Sequence, residues 1–102
     1  MTTRTVTIVR VYLTEGHGQI DEVLDYLRKE AGIHGVTEFR ATAGFGDSGR
    51  MHTASLIDLS LDLPVVLEFF DEPHKAEEVV EQLKGFLKDG HIVYWNAHWT
   101  KR

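Results

Sequence analysis

The sequence predicts an α+β domain in which two helices pack on one sheet of four strands. Two stretches repeat their apolar residues every three or four positions, as helices with one buried face do. Four other stretches are rich in β-branched and aromatic residues, which is typical of strands. A length of 102 residues suits one domain with one core. We therefore expect residues 1–102 to form a single domain.

The order of the six predicted elements defines the arrangement of the sheet. Gly32 fits the C-terminal stop of the first helix, and Asp71 is the expected N-cap of the second, with Pro73 in its first turn. The order strand, helix, strand, strand, helix, strand is that of the ferredoxin-like fold, an antiparallel sheet with both helices on one face. The elements are predicted at residues 5–14, 20–31, 36–45, 64–70, 73–88 and 91–100.

One face of this predicted sheet has no helix to cover it. An exposed apolar patch of this kind usually marks an interface, so we predict that copies of the chain associate through it. Trp95 and Trp99 share a face of the last strand, and we expect that face to be the core side. The residues expected on the open face are Val6, Ile8, Arg10, Tyr12, Glu38, Arg40, Val66, Glu68, Phe70, Ile92 and Tyr94.

Residues 44–63, here called the arm, connect the second and third strands over a length that is unusual for a hairpin. The arm begins with Gly44, Gly46 and Gly49, and glycines allow backbone N–H groups to approach an anion closely. Arg50 adds a guanidinium suited to phosphate or carboxylate. A flexible hinge with a solvated arginine explains the same residues, and both interpretations stay open. The GxGxxG spacing of these glycines leads into a loop, so it does not predict a dinucleotide-binding fold.

Composition excludes several classes of function. The net charge of −5 argues against general nucleic-acid binding, and the absence of cysteine excludes thiolate metal sites and cysteine nucleophiles. The six histidines show no HxxxH or HxxH spacing, so no metal site of that kind is predicted. No nucleophile–base pair can be placed, so we expect no enzyme. Glu15, at the end of the first strand, fits an acid/base or a ligand contact, but a carboxylate at a loop end is more often solvated, which is the expectation here. No signal-peptide pattern is found, and the cytoplasm is the expected location.

Three strings carry a resemblance to a known family. They are VRVYLTEG, GFGxxxRMHT and DLSLDLPVVLEFFDEPHKAEEVV, and the resemblance runs from about Val9 to Val93. The chain resembles the bacterial domain-of-unknown-function 190 family, a set of PII-like proteins. This resemblance implies a ferredoxin-like fold that assembles as a homotrimer, in agreement with the open sheet face.

The resemblance also implies a function and a site. By similarity to PII proteins, the arm corresponds to the T-loop that meets a partner protein, and effectors such as adenine nucleotides bind in clefts between subunits. Genes of the family are associated with a small fluoride-exporting channel, which implies a transporter or channel as a partner. No resident cofactor is implied. The residues expected to line the clefts are Gly44, Phe45, Gly46, Arg50, His52, Lys88, Gly90 and His91.

Two departures from PII proteins leave other functions open. The arm contains no tyrosine, so the residue uridylylated in nitrogen-regulatory PII proteins is missing, and the KDGH turn is shorter than the PII phosphate loop. One alternative is a metal-binding trimer similar to the divalent-cation-tolerance proteins, with His52 as a ligand. Another is a dimeric α+β-barrel oxygenase or isomerase.

Overall fold

The computed structural model describes residues 2–15, 19–46, 49, 52–53, 63–87 and 91–101. Their secondary structure follows the predicted order, with a small additional ribbon at the start of the arm. The elements are β1 (Thr2–Thr14), α1 (Gln19–Lys29), β2 (Thr37–Arg40), β3 (Ala43–Gly44), β4 (His52–Thr53), β5 (Pro64–Asp71), α2 (Pro73–Leu83) and β6 (Ile92–Lys101).

Four of the described strands form one antiparallel sheet in the order β2-β5-β1-β6. The two strands that begin the two halves of the chain, β1 and β5, therefore lie side by side in the centre. β2 and β6 are the edges. This order, with two helices between the strands, is the ferredoxin-like arrangement that the sequence predicts.

The hydrophobic core lies between the sheet and the two helices. Alternate residues of β1 and β5 face the helices because successive side chains of a strand point to opposite sides. The apolar stripes of α1 and α2 complete the layer. The buried core residues are Val9, Val11, Leu13, Val23, Leu27, Ala31, Val65, Leu67, Phe69, Ala76, Val79, Val80 and Leu83.

The first helix ends as predicted. Gly32 has a φ of +70°, in the left-handed region that glycine adopts without strain. The chain reverses there, the N–H of Ile33 points to the carbonyl of Leu27 at 3.4 Å, and Ile33 packs against the core. The predicted stop at Gly32 is confirmed.

The second helix departs from the prediction at both ends. Its N-cap is Glu72, whose carboxylate accepts a hydrogen bond from the N–H of His74 at 2.6 Å, whereas Asp71 is the last residue of β5. The helix ends at Leu83, short of the predicted residue 88, because the N–H of Gly85 bonds three residues back to Gln82. Such tighter turns close helices, and glycine is a weak helix former.

The second predicted strand, 36–45, is interrupted. β2 stops at Arg40, the N–H of Ala41 then bonds to the carbonyl of Pro64 at 3.0 Å, and the chain leaves the sheet to form β3. Cross-strand partners share a face, and Phe39 pairs with Val66, so Phe39 lies on the open face.

The same register corrects the faces expected for Glu38 and Arg40. They pair with Leu67 and Val65, which are buried under the helices, so both side chains lie on the helix side of the sheet and not on the open face. The expectation fails because β2 is an edge strand without a buried stripe to define its register.

The faces predicted for β6 are also reversed. Ile92 and Tyr94 pair with the core residues Val11 and Val9, which places both on the helix side. Trp95, expected in the core, pairs with Ile8 on the open face. Trp99, also expected in the core, and Val93 lie on the same face as Trp95, because each is an even number of residues from it along the strand. The open-face residues that the sequence assigns correctly are Val6, Ile8, Arg10, Tyr12, Val66, Glu68 and Phe70.

Candidate functional site

The open face of the sheet carries a surface rich in aromatic side chains. Both described helices pack on the opposite side, so these side chains have no helix over them. Val6 is buried on this side, but most of its large neighbours are exposed. This surface, here called the aromatic face, exposes Tyr12, Phe39, Phe70, Val93, Trp95 and Trp99.

A charged pair lies in the middle of the aromatic face. Nε of Arg10 donates to Oε1 of Glu68 at 2.7 Å, and the two residues are direct cross-strand partners. The guanidinium also lies over the Trp95 ring, 5.5 Å from its centroid, in a cation–π contact. Hydrogen bonds to Glu68 and then to Tyr12 raise the pKa of Arg10 above its ordinary value. Arg10 is therefore held in position by three neighbours of different chemistry.

The arm begins and ends at one end of the sheet. Gly44 pairs with His52 in the ribbon formed by β3 and β4, so the structure brings these two predicted site residues together. Gly46 accepts a hydrogen bond from the N–H of Gly49 at 2.8 Å, and Gly49 has a φ of +73°. Phe45 is 68% exposed and contributes little to the core.

Gly44 has a close neighbour that explains the absence of a side chain there. A Cβ atom on Gly44 would lie 2.9 Å from Cγ of Pro64, the first residue of β5. A Cβ on Gly46, by contrast, would meet nothing within 4 Å among the described residues. The outgoing and returning segments of the arm are therefore packed backbone against proline ring.

Backbone hydrogen bonds join the same two segments to the domain. The N–H of Ala41 bonds to the carbonyl of Pro64 at 3.0 Å, and the N–H of Glu15 bonds to the carbonyl of Leu63 at 2.9 Å. We call residues 41–44 and 63–64 the two stems of the arm. The end of β1 thus holds the returning stem, and the returning stem holds the outgoing one.

Arg40 forms an ion-pair cluster at these stems. Its Nη1 contacts Oε1 of Glu15, and its Nε donates to Oε2 of Glu38 at 3.0 Å. The side chain of Glu15 is only 21% exposed, whereas that of Arg40 is 59% exposed. Sequence reasoning missed this cluster, since it treated Glu15 as solvated and placed Glu38 and Arg40 on the other face.

His91 lies at the same end of the sheet but at the opposite edge. Its carbonyl accepts a hydrogen bond from the N–H of Tyr12 at 2.7 Å, and its Nδ1 is buried without a hydrogen-bond partner among the described residues. Strands are about 4.8 Å apart, so the edges β2 and β6 are separated by about 14 Å. Within one chain the sheet does not bring His91 against Gly44. Arg50, Lys88 and Gly90 lie outside the described residues.

Comparison with known families identifies the chain. The model of the family DUF190, described as "Uncharacterized ACR", matches residues 6–99, nearly the whole chain. The chain belongs to the DUF190 family. The resemblance carried by the three sequence strings is therefore confirmed.

Relatives of this DUF190 chain occur in a bacterium and an archaeon. One UPF0166 protein of Aquifex aeolicus is 38% identical over 72 residues, covering 65% of this chain and 69% of the relative. A second from the same organism is 30% identical over 95 residues, covering 91% and 88%. A UPF0166 protein of Methanocaldococcus jannaschii is 29% identical over 97 residues, covering 89% and 88%.

Solved structures with the same fold include PII-like proteins. CPII from Thiomonas intermedia K12 bound to ADP and bicarbonate matches with a TM-score of 0.66 and 18% identity, covering 96% of the DUF190 chain and 89% of CPII. The B. subtilis GlnK–ATP complex matches with a TM-score of 0.58 and 15% identity, covering 91% and 82%. Likeness at these identities shows the fold, and it confirms the ferredoxin-like prediction.

Among the described residues, no helix is long and apolar enough to cross a membrane. Nor do three or more histidine, aspartate or glutamate side chains gather there in a group that could hold a metal ion.

Proposed function

We propose that this DUF190 chain is a PII-like signalling protein that binds a small anionic effector and regulates a partner, without catalysis of its own. The observation that carries the proposal is the likeness of its fold, over nearly the whole chain, to PII-like proteins solved with adenine nucleotides. CPII is bound to ADP and bicarbonate, and GlnK to ATP. The cytoplasm, where adenine nucleotides are abundant, is the location that this proposal requires.

The proposed assembly is a homotrimer that covers the aromatic face. Aromatic residues and arginine are enriched at protein interfaces, and a contiguous exposed apolar surface costs free energy in water. An Arg10–Glu68 pair on that surface satisfies its own charges, so a second copy would not bury an unpaired ion. Association would also bring the edge β2 of one copy near β6 of another.

The proposed effector site lies in the resulting cleft between subunits. In this proposal Gly44, with its neighbours on the arm, belongs to one wall, and His91 belongs to the other. The distance between β2 and β6 within one chain supports a site shared by two copies. The full set is Gly44, Phe45, Gly46, Arg50, His52, Lys88, Gly90 and His91, and the arm at 44–63 would contact the partner, for which a transporter or channel is our candidate.

Titration calorimetry with ATP, ADP, AMP and cyclic nucleotides tests the effector. We expect heat and a raised melting temperature with at least one of them, since a ligand bound only to the folded state stabilises it. Arg50→Ala should weaken that binding by about 1–3 kcal/mol if the contact is charge-assisted.

Arg28→Ala is the matched control for this experiment. Arg28 is an exposed arginine of α1 that is not among the residues proposed for the site, and its Nη2 lies 3.8 Å from Oδ1 of Asp25. Its loss should leave the affinity unchanged. Absence of heat with every nucleotide would remove the nucleotide from the proposal, and an unaltered affinity of Arg50→Ala would exclude Arg50 from the site.

A further inference from the structure

The ion-pair cluster at the arm holds a cation between two anions. Arg40 contacts Glu15 through Nη1 and Glu38 through Nε. A guanidinium carries five N–H donors, and the partners of Arg40 among the described residues are on Nη1 and Nε, so no acceptor in that part of the chain occupies Nη2. The Arg40 side chain is 59% exposed, which leaves that side of the group accessible to a ligand.

The cluster lies next to the stems of the arm, where the proposed effector site begins. Arg40 is the last residue of β2, immediately before the outgoing stem, and Glu15 is bonded through its backbone to the returning stem at Leu63. Pro64 follows Leu63 and packs against Gly44. A ligand at the Gly44 backbone would therefore lie one proline ring away from the strand end that carries the cluster.

We infer that Arg40 is an additional effector-binding residue. In the free protein its guanidinium pairs with Glu15 and Glu38, and a phosphate-bearing anion bound at the arm displaces these carboxylates. This inference rests on the proposed function, because it assigns a further contact and a regulatory contact to the same site. It predicts that loss of either carboxylate tightens effector binding, whereas loss of the arginine weakens it.

Competition for the same donors explains why the carboxylates oppose the ligand. Glu15 and Glu38 occupy Nη1 and Nε of Arg40, so an anion that binds the guanidinium through these atoms has to displace them. Exposed ion pairs contribute little to stability, so a phosphate with several charged oxygens can displace them. When the anion takes Arg40, the contact between the end of β2 and the end of β1 is lost. Binding would thereby loosen the two stems.

The first part of the test needs no ligand. Amide hydrogen exchange of Ala41 and Glu15 reports the two hydrogen bonds that join the stems to the domain. We expect Arg40→Ala to accelerate exchange at both amides by about two- to fivefold, the size expected for an exposed ion pair. Glu81→Gln is the control, because it removes the carboxylate of another exposed ion pair, in which Nζ of Lys84 lies 3.0 Å from Oε1 of Glu81. Unchanged exchange in Arg40→Ala would overturn the holding role.

The second part measures affinity for ADP and for inorganic pyrophosphate. Arg40→Ala should weaken binding, whereas Glu15→Gln and Glu38→Gln should each tighten it by about two- to fivefold. In the double variant Arg40→Ala/Glu15→Gln the tightening should disappear, because it acts through Arg40. Tightening that persists without Arg40 would show a general charge effect and overturn the inference.

The two parts separate failure of this inference from failure of the proposed function. If the wild-type protein binds neither pyrophosphate nor any of the nucleotides, the nucleotide part of the proposed function and the ligand role of Arg40 both fail, while the exchange result still decides whether Arg40 holds the stems. If the wild-type protein binds ADP but the carboxylate variants bind it equally or less tightly, only the competition between effector and carboxylates is contradicted.

Discussion

Arg10 and Glu68 face each other across β1 and β5 and form an ion pair of 2.7 Å on the aromatic face. Their neighbours on that surface are large and exposed, and Trp95 stacks on the guanidinium. A charged pair in such surroundings is tolerated best where its partners are fixed in position. The pair therefore gives the aromatic face a polar contact at a fixed position in addition to its hydrophobic area.

The aromatic face predicts a clear difference between two aromatic residues of β6. Trp95→Glu places a charge on the aromatic face and should dissociate the assembly, because the charge would be buried without a partner. Tyr94→Glu is the control, since Tyr94 is similarly exposed but lies on the helix side. Light scattering coupled to gel filtration measures the mass. Loss of the assembly in both variants, or in neither, would contradict the assignment of the faces.

The Arg10–Glu68 pair predicts non-additive effects on association. Glu68→Leu alone should weaken the assembly by about 3 kcal/mol, because the arginine would be covered without its partner. Adding Arg10→Met should restore most of the loss, since a well-packed apolar pair often replaces a buried ion pair without cost. Dissociation constants from sedimentation provide the measurement. A double variant as weak as the single one would show that the charges themselves drive association.

The contact between Gly44 and Pro64 predicts a difference between two glycines of the arm. Gly44→Ala would force its Cβ to within 2.9 Å of the proline ring and should lower the free energy of unfolding by about 1–3 kcal/mol. Gly46→Ala, where a Cβ would meet none of the described residues within 4 Å, should change the free energy of unfolding by less than about 0.5 kcal/mol. Urea denaturation measures both. Equal free energies of unfolding for the two variants would contradict the close contact between Gly44 and the Pro64 ring.

The left-handed backbone at Gly32 predicts a similar contrast at the end of α1. Gly32→Ala should destabilise the protein by about 1 kcal/mol, because its φ of +70° strains any side chain even where space is available. Gly35→Ala is the control, because a Cβ there meets nothing within 4 Å among the described residues and its φ is not positive. Thermal unfolding reports the difference. A Gly32→Ala variant as stable as Gly35→Ala would contradict the strain expected from a left-handed backbone at Gly32.

The fold and the central strands could be predicted from the sequence because their signals do not depend on register. Val9 and Val11 of β1 alternate with the larger or charged residues Ile8, Arg10 and Tyr12, and the helices have single apolar stripes. Burial then decides which side faces the helices. Gly32 was also predictable, since a helix that stops before an apolar residue needs a left-handed position.

The faces of the edge strands could not be predicted with the same reasoning. β6 carries aromatic residues on both sides, with Tyr94 on one and Trp95 on the other, so alternation alone cannot tell which side is buried. A shift of one residue exchanges the two faces. In β2 the same ambiguity led to the wrong face for Arg40 and Glu38. The pairing of Arg40 with Glu15 is a long-range contact that no local pattern encodes.

Sedimentation equilibrium of the wild-type protein at micromolar concentration tests the central claim most directly. If further copies cover the aromatic face and create the clefts for an effector, the protein should sediment with the mass of three chains. A species with the mass of one chain, with Trp95 and Trp99 accessible to aqueous quenchers of fluorescence, would contradict the account.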